Sequence, residues 1–277
     1  MPKVMSVGGG HRIYISDGTI LRDYQLCFEN FDSEVTSITD METMGWVETD
    51  INTATSRAVT VEPENNFLLV DAGTKADSGS SLQLLTDSTA THTNAPHKSI
   101  GPMISTATLM DARSMFFFTR VGFAHTVAAW VSKFLIGWCV TDTSLMSPTT
   151  GAPSITTGGG IYFHIGEDAD ISAVTQTAAA AADTTSIGTQ GTPTSATVVG
   201  DWVELGFLWE CTDADAATGT AYFYMNGVLV ATKTDGMPMT STQTYGVSIE
   251  ASNADTTSQN LDVGVDYIIT GISGPGR

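Results

Sequence analysis

The stretch from Asp201 to Thr232 constrains the fold more than any other part of this sequence. Its aromatic run 219–225 is followed by Asn226 and Gly227 and then by the aliphatic run 228–231. Both central residues of a type I′ turn need positive φ, which Asn and Gly adopt at low cost. The sequence therefore predicts a β-hairpin that turns at these two residues.

The strand that precedes this hairpin has two different faces, because side chains alternate along a strand with a period of two. One face is entirely apolar and comprises Val203, Leu205, Phe207 and Trp209. The opposite face is mixed and comprises Trp202, Glu204, Gly206 and Leu208. We expect the apolar face to pack against a core.

Many further short strands are predicted, separated by clusters of Gly, Ser, Thr, Asn and Pro. They begin near Tyr24 and Gly45 and continue at residues 58–61, 67–70, 81–85, 114–123, 134–141, 160–165, 171–175, 245–251 and 261–269. This spacing predicts an all-β sandwich or barrel. The apolar runs 115–118 and 134–138 predict strands that are buried in the core or under a long loop.

Two long segments, Asp142 to Gly160 and Thr177 to Gly200, are rich in small residues and are predicted to be loops that contact partners. The Ala-rich run Val174 to Ala182 lacks an apolar stripe, so we expect a loop there instead of a helix. Residues 1–24 are predicted to form an N-terminal arm docked on the domain or on a neighbouring subunit. Residues 25–277 are predicted to form a single β-sandwich domain.

Charge and cysteine content narrow the classes of partner. Thirty acidic residues oppose eleven basic ones, giving a net charge of −19. Nucleic-acid binding depends on neutralising phosphates with Lys and Arg, so neither nucleic acid nor an anionic membrane surface is predicted as a partner. No apolar run is long enough to cross a bilayer, and the first ten residues do not resemble a secretory signal. Cys27, Cys139 and Cys211 are widely separated, so neither a disulfide scaffold nor a Cys-x-x-Cys metal site is expected.

The late hairpin resembles that of the concanavalin A-like lectin/glucanase superfamily, which includes laminin G-like domains. The matching positions are Trp202, Leu205, Phe207, Gly219, Phe223, Tyr224, Asn226, Gly227, Leu229, Val230 and Ala231. The segment Leu261 to Ile269 resembles the last strand of the same sandwiches. The resemblance implies a two-sheet antiparallel jelly-roll sandwich, but it does not fix the function, because lectins, hydrolases, adhesion modules and virus structural proteins share this architecture.

Hydrolases of this superfamily carry the strand motif Glu-x-Asp-x-x-Glu, which places three acids on one concave face. The pair Glu48 and Asp50 lacks the third acid, because Thr53 occupies that position. The second candidate set runs into a turn and comprises Glu210, Asp213 and Asp215. We therefore expect no enzymatic activity.

Acidic clusters and histidines are the candidate metal ligands in this sequence. The clusters are Glu167 with Asp168 and Asp170, Asp213 with Asp215, and Asn253 with Asp255. None has the spacing of a calcium loop, and such clusters more often cap turns. The histidines are His11, His92, His97, His125 and His164, and they show no paired-ligand spacing. No catalytic, cofactor-binding or metal-binding residue is assigned, and no cofactor is expected.

Three tryptophans, Trp46, Trp130 and Trp138, can stack on sugars if they are exposed, but buried core positions are the commoner explanation for such residues. The leading functional hypothesis is a non-enzymatic bacteriophage virion structural protein. It would be a capsid decoration or cement protein, synthesised in the host cytoplasm, that binds the major capsid protein through its arm and loops and assembles as a homotrimer. The alternative is a carbohydrate-binding, lectin-like module that attaches to a glycan or a host surface. A laminarinase-like hydrolase is the third hypothesis.

Overall fold

The computed structural model of the chain describes the backbone in nineteen segments. They are residues 4–8, 12–15, 24–29, 46–51, 59–62, 67–71, 78–84, 104–105, 115–125, 133–140, 145–147, 150–155, 159–166, 170–177, 182–189, 196–213, 218–234, 244–253 and 261–273. Side chains are described within 115–123, 133–140, 145–147, 150–155, 159–166, 170–177, 182–189, 202–210, 219–234, 246–252 and 263–271.

The described residues form β-strands and contain no helix. The strands are β1 Val4–Gly8, β2 Arg12–Ile15, β3 Tyr24–Glu29, β4 Trp46–Ile51, β5 Val59–Glu62, β6 Phe67–Asp71, β7 Ser78–Leu84, β8 Ile104–Ser105, β9 Met115–His125, β10 Lys133–Val140, β11 Gly159–Ile165, β12 Asp170–Thr177, β13 Asp183–Thr189, β14 Ala196–Asp213, β15 Thr218–Met225, β16 Val228–Lys233, β17 Thr244–Asn253 and β18 Leu261–Ser273. It follows that this part of the chain has no helix long and apolar enough to cross a membrane.

These strands build two eight-stranded antiparallel sheets. The first sheet has the order β16-β15-β14-β9-β18-β6-β5, with β3 paired to β18. The second sheet has the order β13-β12-β11-β10-β17-β7-β4, with β8 paired to β17. The predicted all-β, two-sheet antiparallel sandwich is confirmed. Strands β1 and β2 pair only with each other and fall in the predicted N-terminal arm; the arm boundary and its docking stay predictions.

The predicted hairpin turn is confirmed in detail. Asn226 and Gly227 have φ values of 50° and 74°, as a type I′ turn requires. The Asn226 side-chain oxygen accepts a hydrogen bond from the Glu204 backbone N–H at 3.0 Å, and the Asn226 N–H donates to the Glu204 carbonyl at 2.8 Å. The turn is therefore anchored to β14, which fixes the register of β15 and β16 beside it.

The core lies between the two sheets and is rich in aromatic side chains. All four residues of the predicted apolar face of β14 are buried. Phe207 stacks on Phe117 of β9 with ring centroids 5.5 Å apart. Phe163 of the second sheet meets Phe223 edge-to-face at 5.5 Å. Burial of each such ring contributes about 1.5–3 kcal/mol, so this interdigitated aromatic layer dominates the attraction between the sheets.

A hydrogen-bonded chain also crosses from one sheet to the other. The Trp138 indole N–H donates to the Thr270 hydroxyl at 2.8 Å, and that hydroxyl donates to the Phe116 carbonyl at 2.8 Å. Trp138 is 1% exposed, so the buried interpretation of this residue is confirmed. Cys139 of β10 is a free, buried thiol.

An ion pair joins the edge strands β16 and β13 of the two sheets on one side of the sandwich. The Lys233 ammonium of β16 lies 2.9 Å from a carboxylate oxygen of Asp183 in β13 and donates to the Asp183 carbonyl at 2.8 Å. The Lys233 side chain is buried while that of Asp183 is half-exposed. The bonds to Asp183 compensate for the desolvation of the ammonium, which a buried charge requires.

The prediction of a loop from Thr177 to Gly200 is wrong at Thr177, over residues 183–189 and over residues 196–200, which belong to strands. Strand β12 extends to Thr177, β13 occupies residues 183–189 and β14 begins at Ala196. The predicted loop at Val174 to Ala182 is also wrong over residues 174–177, which pair with β11. Strand β13 shows no alternation of apolar and polar residues by which the sequence could reveal it. It is an edge strand rich in Thr and Ser, and its residues are mostly exposed on both faces.

Candidate functional site

The outer face of the first sheet carries a cluster of large apolar and aromatic side chains, which we call the aromatic face. Its members are Phe116, Phe118, Trp202, Leu208, Tyr222, Tyr224, Tyr267 and Ile269. Strand register brings them together: Gly206 lies opposite both Phe118 and Tyr224, and Leu208 lies opposite both Phe116 and Tyr222. Because the neighbouring residues of each strand fill the core, these side chains point away from it.

The centre of the aromatic face is tightly packed. Phe116, Leu208 and Tyr224 are buried, and Phe118, Tyr222 and Ile269 pack against them while remaining half-buried. The Phe118 ring centroid lies 6.1 Å from that of Phe116 and 6.3 Å from that of Tyr224. These are ordinary separations for tilted aromatic pairs.

Gly206 makes this packing possible. A Cβ atom at this position would lie 1.9 Å from the Cδ1 atom of Phe118, so the Phe118 ring rests directly on the Gly206 backbone. The absence of a side chain in the middle of β14 creates room for the ring. The glycine is required here by close approach.

One margin of the aromatic face carries an ion pair stacked on an indole. The Arg120 guanidinium lies 2.9 Å from a carboxylate oxygen of Asp266 and 5.1 Å from the centre of the Trp202 ring. A cation over an aromatic ring is attracted by the ring quadrupole. Both charged side chains are partly exposed, so the pair contributes little to stability but fixes the position of the guanidinium.

Two exposed carboxylates, Glu204 and Glu210, lie on the same outer face of β14. Burial raises the pKa of Tyr267 to about 12, and the charges of Glu204 and Asp266 add to the effect while Arg120 opposes it. Burial, followed by Tyr222 and Glu210, also raises the pKa of Tyr224. Both phenols therefore stay protonated at neutral pH and can donate hydrogen bonds.

The outer face of the second sheet is different, because another segment of the chain covers part of it. Residues 145–147 and 150–155, which we call the strap, lie over it. Glu250 of β17 is fully buried and accepts hydrogen bonds from the backbone N–H groups of Leu145 at 2.6 Å and Met146 at 3.1 Å. Leu145 and Met146 are themselves fully buried. The loop predicted at Asp142 to Gly160 thus packs on its own sheet along its described residues.

Three more sheet side chains bind the strap through its carbonyl groups. The Gln176 amide donates to Ile155 at 3.2 Å, and the Lys133 ammonium donates to Thr150 at 2.6 Å. The His164 Nε2 atom lies 3.0 Å from the Gly151 oxygen. Four polar side chains of this face, Glu250, Gln176, Lys133 and His164, therefore bind backbone groups of the strap.

The predicted carboxylate candidates are not brought together. Glu48 and Asp50 belong to β4 at the edge of the second sheet, whereas Glu210 lies on the outer face of the first. Asp213 ends β14, and its side chain is outside the described set. Thr53 and Asp215 lie outside the described residues.

Among the predicted metal ligands, Asp170 forms a hydrogen bond within its own sheet. The Asp170 carboxylate accepts a hydrogen bond from the Ser186 hydroxyl at 2.6 Å. Among the described side chains, no group of three His, Cys, Asp or Glu residues is arranged to hold a metal ion. The other candidates lie outside the described side chains; they are His11, His92, His97, His125, Glu167, Asp168, Asn253, Asp255, Trp46, Trp130, Cys27 and Cys211.

The aromatic face was missed by the sequence analysis, which treated its residues only as strand formers. Part of the signal was present, since Trp202 and Leu208 share the face of β14 opposite the core. The hairpin then places Tyr222 and Tyr224 next to them once the register is known. The contributions of β9 and β18 depend on pairings between strands far apart in sequence.

No family model matches the sequence, and no curated protein matches it. Several solved structures have a similar fold. The carbohydrate recognition domain of Emp46p in its potassium-bound form is 10% identical with a TM-score of 0.47, covering 86% of this chain and 93% of that one. The legume lectin-like domain from Entamoeba histolytica is 12% identical with a TM-score of 0.48, covering 83% and 92%. The carbohydrate esterase vb_24B_21 from Shiga toxin-encoding bacteriophage phi24B is 12% identical with a TM-score of 0.46, covering 87% and 94%.

The likeness to these structures is one of fold alone, and at such identities and TM-scores it carries no argument about family, binding or catalysis.

Proposed function

We propose that this protein binds carbohydrate on the aromatic face. The observation that carries the proposal is that half-buried rings and exposed carboxylates share one sheet surface: Trp202, Tyr222 and Tyr267 supply rings, and Glu204 and Glu210 supply carboxylates. Sugars present apolar C–H faces and a rim of hydroxyl groups. A surface that combines rings with oriented polar groups is complementary to both.

The rigidity of the surface supports the same proposal. Phe118 packs against Tyr224 and rests on the backbone of Gly206. A ring that is already fixed loses little conformational entropy when a ligand stacks on it, which favours the weak, shape-dependent contacts that sugars make. The protonated phenol of Tyr267 adds a hydrogen-bond donor beside Glu204.

The proposal is tested with a glycan array followed by calorimetry on the wild-type chain and two variants of one residue. Tyr222→Ala removes a half-buried ring and is expected to weaken binding by about 1–2 kcal/mol, or about five- to thirtyfold. Tyr222→Phe keeps the ring and is expected to retain most of the affinity. Thr184→Ala, at an exposed position of the second sheet, is the control. Absence of any glycan ligand for the wild type, or equal affinity of Tyr222→Ala, would contradict the proposal.

A second candidate is the virion structural protein predicted from the sequence, with the major capsid protein and copies of itself as partners. It is favoured by the tip of the hairpin, where Val228 is 62% exposed and Leu229 is 38% exposed. Large apolar side chains at such exposure suit contact with another protein. The virion location and the homotrimer stay predictions.

This candidate is tested by light scattering and by localisation in purified particles. A wild-type trimer that the double variant Val228→Ser with Leu229→Ser converts to monomer would support it. A monomeric wild type that is absent from particles would contradict it.

A further inference from the structure

We infer that the aromatic face selects glycans without anionic groups, and discriminates against sialylated, sulfated and uronate-containing ones. The inference rests on the proposed carbohydrate binding and concerns which class of glycan is bound. It is carried by the charges on and beside the face.

The described outer surface of the first sheet is acidic. Glu204, Glu210 and Asp266 are negative there, and Arg120 is the cation among the described residues of that face. The lysines described elsewhere do not contribute, because Lys233 is buried against Asp183 and Lys133 binds the strap. A sugar carboxylate or sulfate docked on this face would meet more negative than positive charge.

Arg120 is itself already paired with a carboxylate. Its guanidinium is bonded to the Asp266 carboxylate at 2.9 Å and stacked on Trp202. An anionic ligand at Arg120 would therefore share this guanidinium with Asp266 and lie close to the negative charge of that carboxylate. Binding of a neutral sugar leaves the ion pair intact, since hydroxyl groups can share the carboxylate oxygens as donors.

Two further observations support discrimination against anionic glycans. Besides burial, the negative charges of Glu204 and Asp266 raise the pKa of Tyr267, whereas Arg120 lowers it, so both carboxylates lie near that phenol. The whole chain carries a net charge of −19, which repels anionic polymers at low ionic strength.

The experiment uses pairs of glycans that differ in whether their carboxylates are methyl-esterified: sialyllactose with its methyl ester, and free with methyl-esterified polygalacturonate. Binding to the full chain is measured at low and at high salt. The neutral member of each pair is expected to bind at least about tenfold more tightly, and the gap is expected to narrow at high salt because screening weakens repulsion. Asp266→Asn releases Arg120 and removes one negative charge, so it is expected to shift the affinity ratio toward the acidic member.

Asp170→Asn removes the same charge from the second sheet and is expected to leave the affinity ratio unchanged. Tighter binding of the acidic members would overturn the inference while the proposed function stands. Equal binding of both members at low salt would overturn it as well. If no glycan on a broad array binds, the proposed function fails, and the inference fails with it.

Discussion

The outer faces of the two sheets differ in how far the chain covers their apolar residues. Each sheet presents apolar residues on the side away from the core, such as Leu135 and Cys139 on the second sheet and Phe118 and Leu208 on the first. On the second sheet the strap covers part of this side, over β10, β11, β12 and β17. The first sheet keeps half-buried rings at its surface.

The polar residues of the two faces differ accordingly. On the second sheet, Glu250 and Gln176 are buried and bind backbone groups of the strap. A covering loop buries its backbone N–H and C=O groups away from water, and those groups then need hydrogen-bond partners. On the first sheet, Glu204 and Glu210 are exposed. The comparison indicates that a buried carboxylate in this fold is structural, whereas the carboxylates beside exposed rings are free to meet a ligand.

The largest effect is expected from removing the carboxylate that holds the strap. Glu250→Ala leaves the N–H groups of Leu145 and Met146 buried without this acceptor, which is expected to cost about 2–5 kcal/mol. Urea denaturation measures it as a lower midpoint. Glu210→Ala, an exposed carboxylate of the other face, is expected to change stability by less than about 0.5 kcal/mol. Equal losses of stability in Glu250→Ala and Glu210→Ala would show that the buried carboxylate is no more structural than the exposed one.

A smaller effect is expected from adding a side chain under the aromatic face. Gly206→Val drives methyl groups into the Phe118 ring, and such overpacking typically costs about 1–3 kcal/mol. Glycan binding should fall as well, because the ring platform is displaced. Phe118→Ala makes room, so the double variant is expected to lose less stability than the sum of the single ones by about 0.5 kcal/mol or more. Strict additivity in calorimetric or urea unfolding would show that Phe118 does not rest on Gly206.

The sequence predicts the first sheet better than it predicts what lies on the second. The alternation of Val203, Leu205, Phe207 and Trp209 identifies the core face of β14, because apolar periodicity reports burial directly. The Asn226–Gly227 pair identifies the turn, since its backbone requirement is local. Both predictions depend only on neighbouring residues.

The strap could not be predicted in the same way. Glu250 is an acidic residue inside an apolar strand, and its partner Leu145 is 105 residues away in sequence. No local pattern indicates that a carboxylate will be buried by distant backbone groups. The aromatic face is an intermediate case: alternation places Trp202 and Leu208 together, but Phe118, Tyr267 and Ile269 join them only through long-range pairing of β9 and β18.

Acidification is expected to weaken the strap-covered face selectively. Burial lowers the pKa of His164, with Lys133 contributing in the same direction and the Gly151 carbonyl and Asp170 opposing. Because the folded protein disfavours the imidazolium, His164 contributes stability that is present above pH about 6.5 and is lost as pH falls through the lowered pKa. The urea midpoint of the wild type should decline over this range more than that of His164→Gln. Parallel declines would assign the acid sensitivity to other groups.

Alkaline conditions are expected to weaken the aromatic face instead, with the smallest effect of the four. The pKa of Tyr267 is raised from 10.0 to about 12, chiefly by burial. The unfolded chain therefore releases this proton first, and the contribution of Tyr267 to stability is present below pH 10 and lost as pH rises toward 12. Tyr267→Phe keeps the ring and cannot ionise, so its urea midpoint should fall less than that of the wild type between those values. If the two midpoints fall together while His164→Gln behaves as expected in acid, the Tyr267 phenol is not shielded by burial.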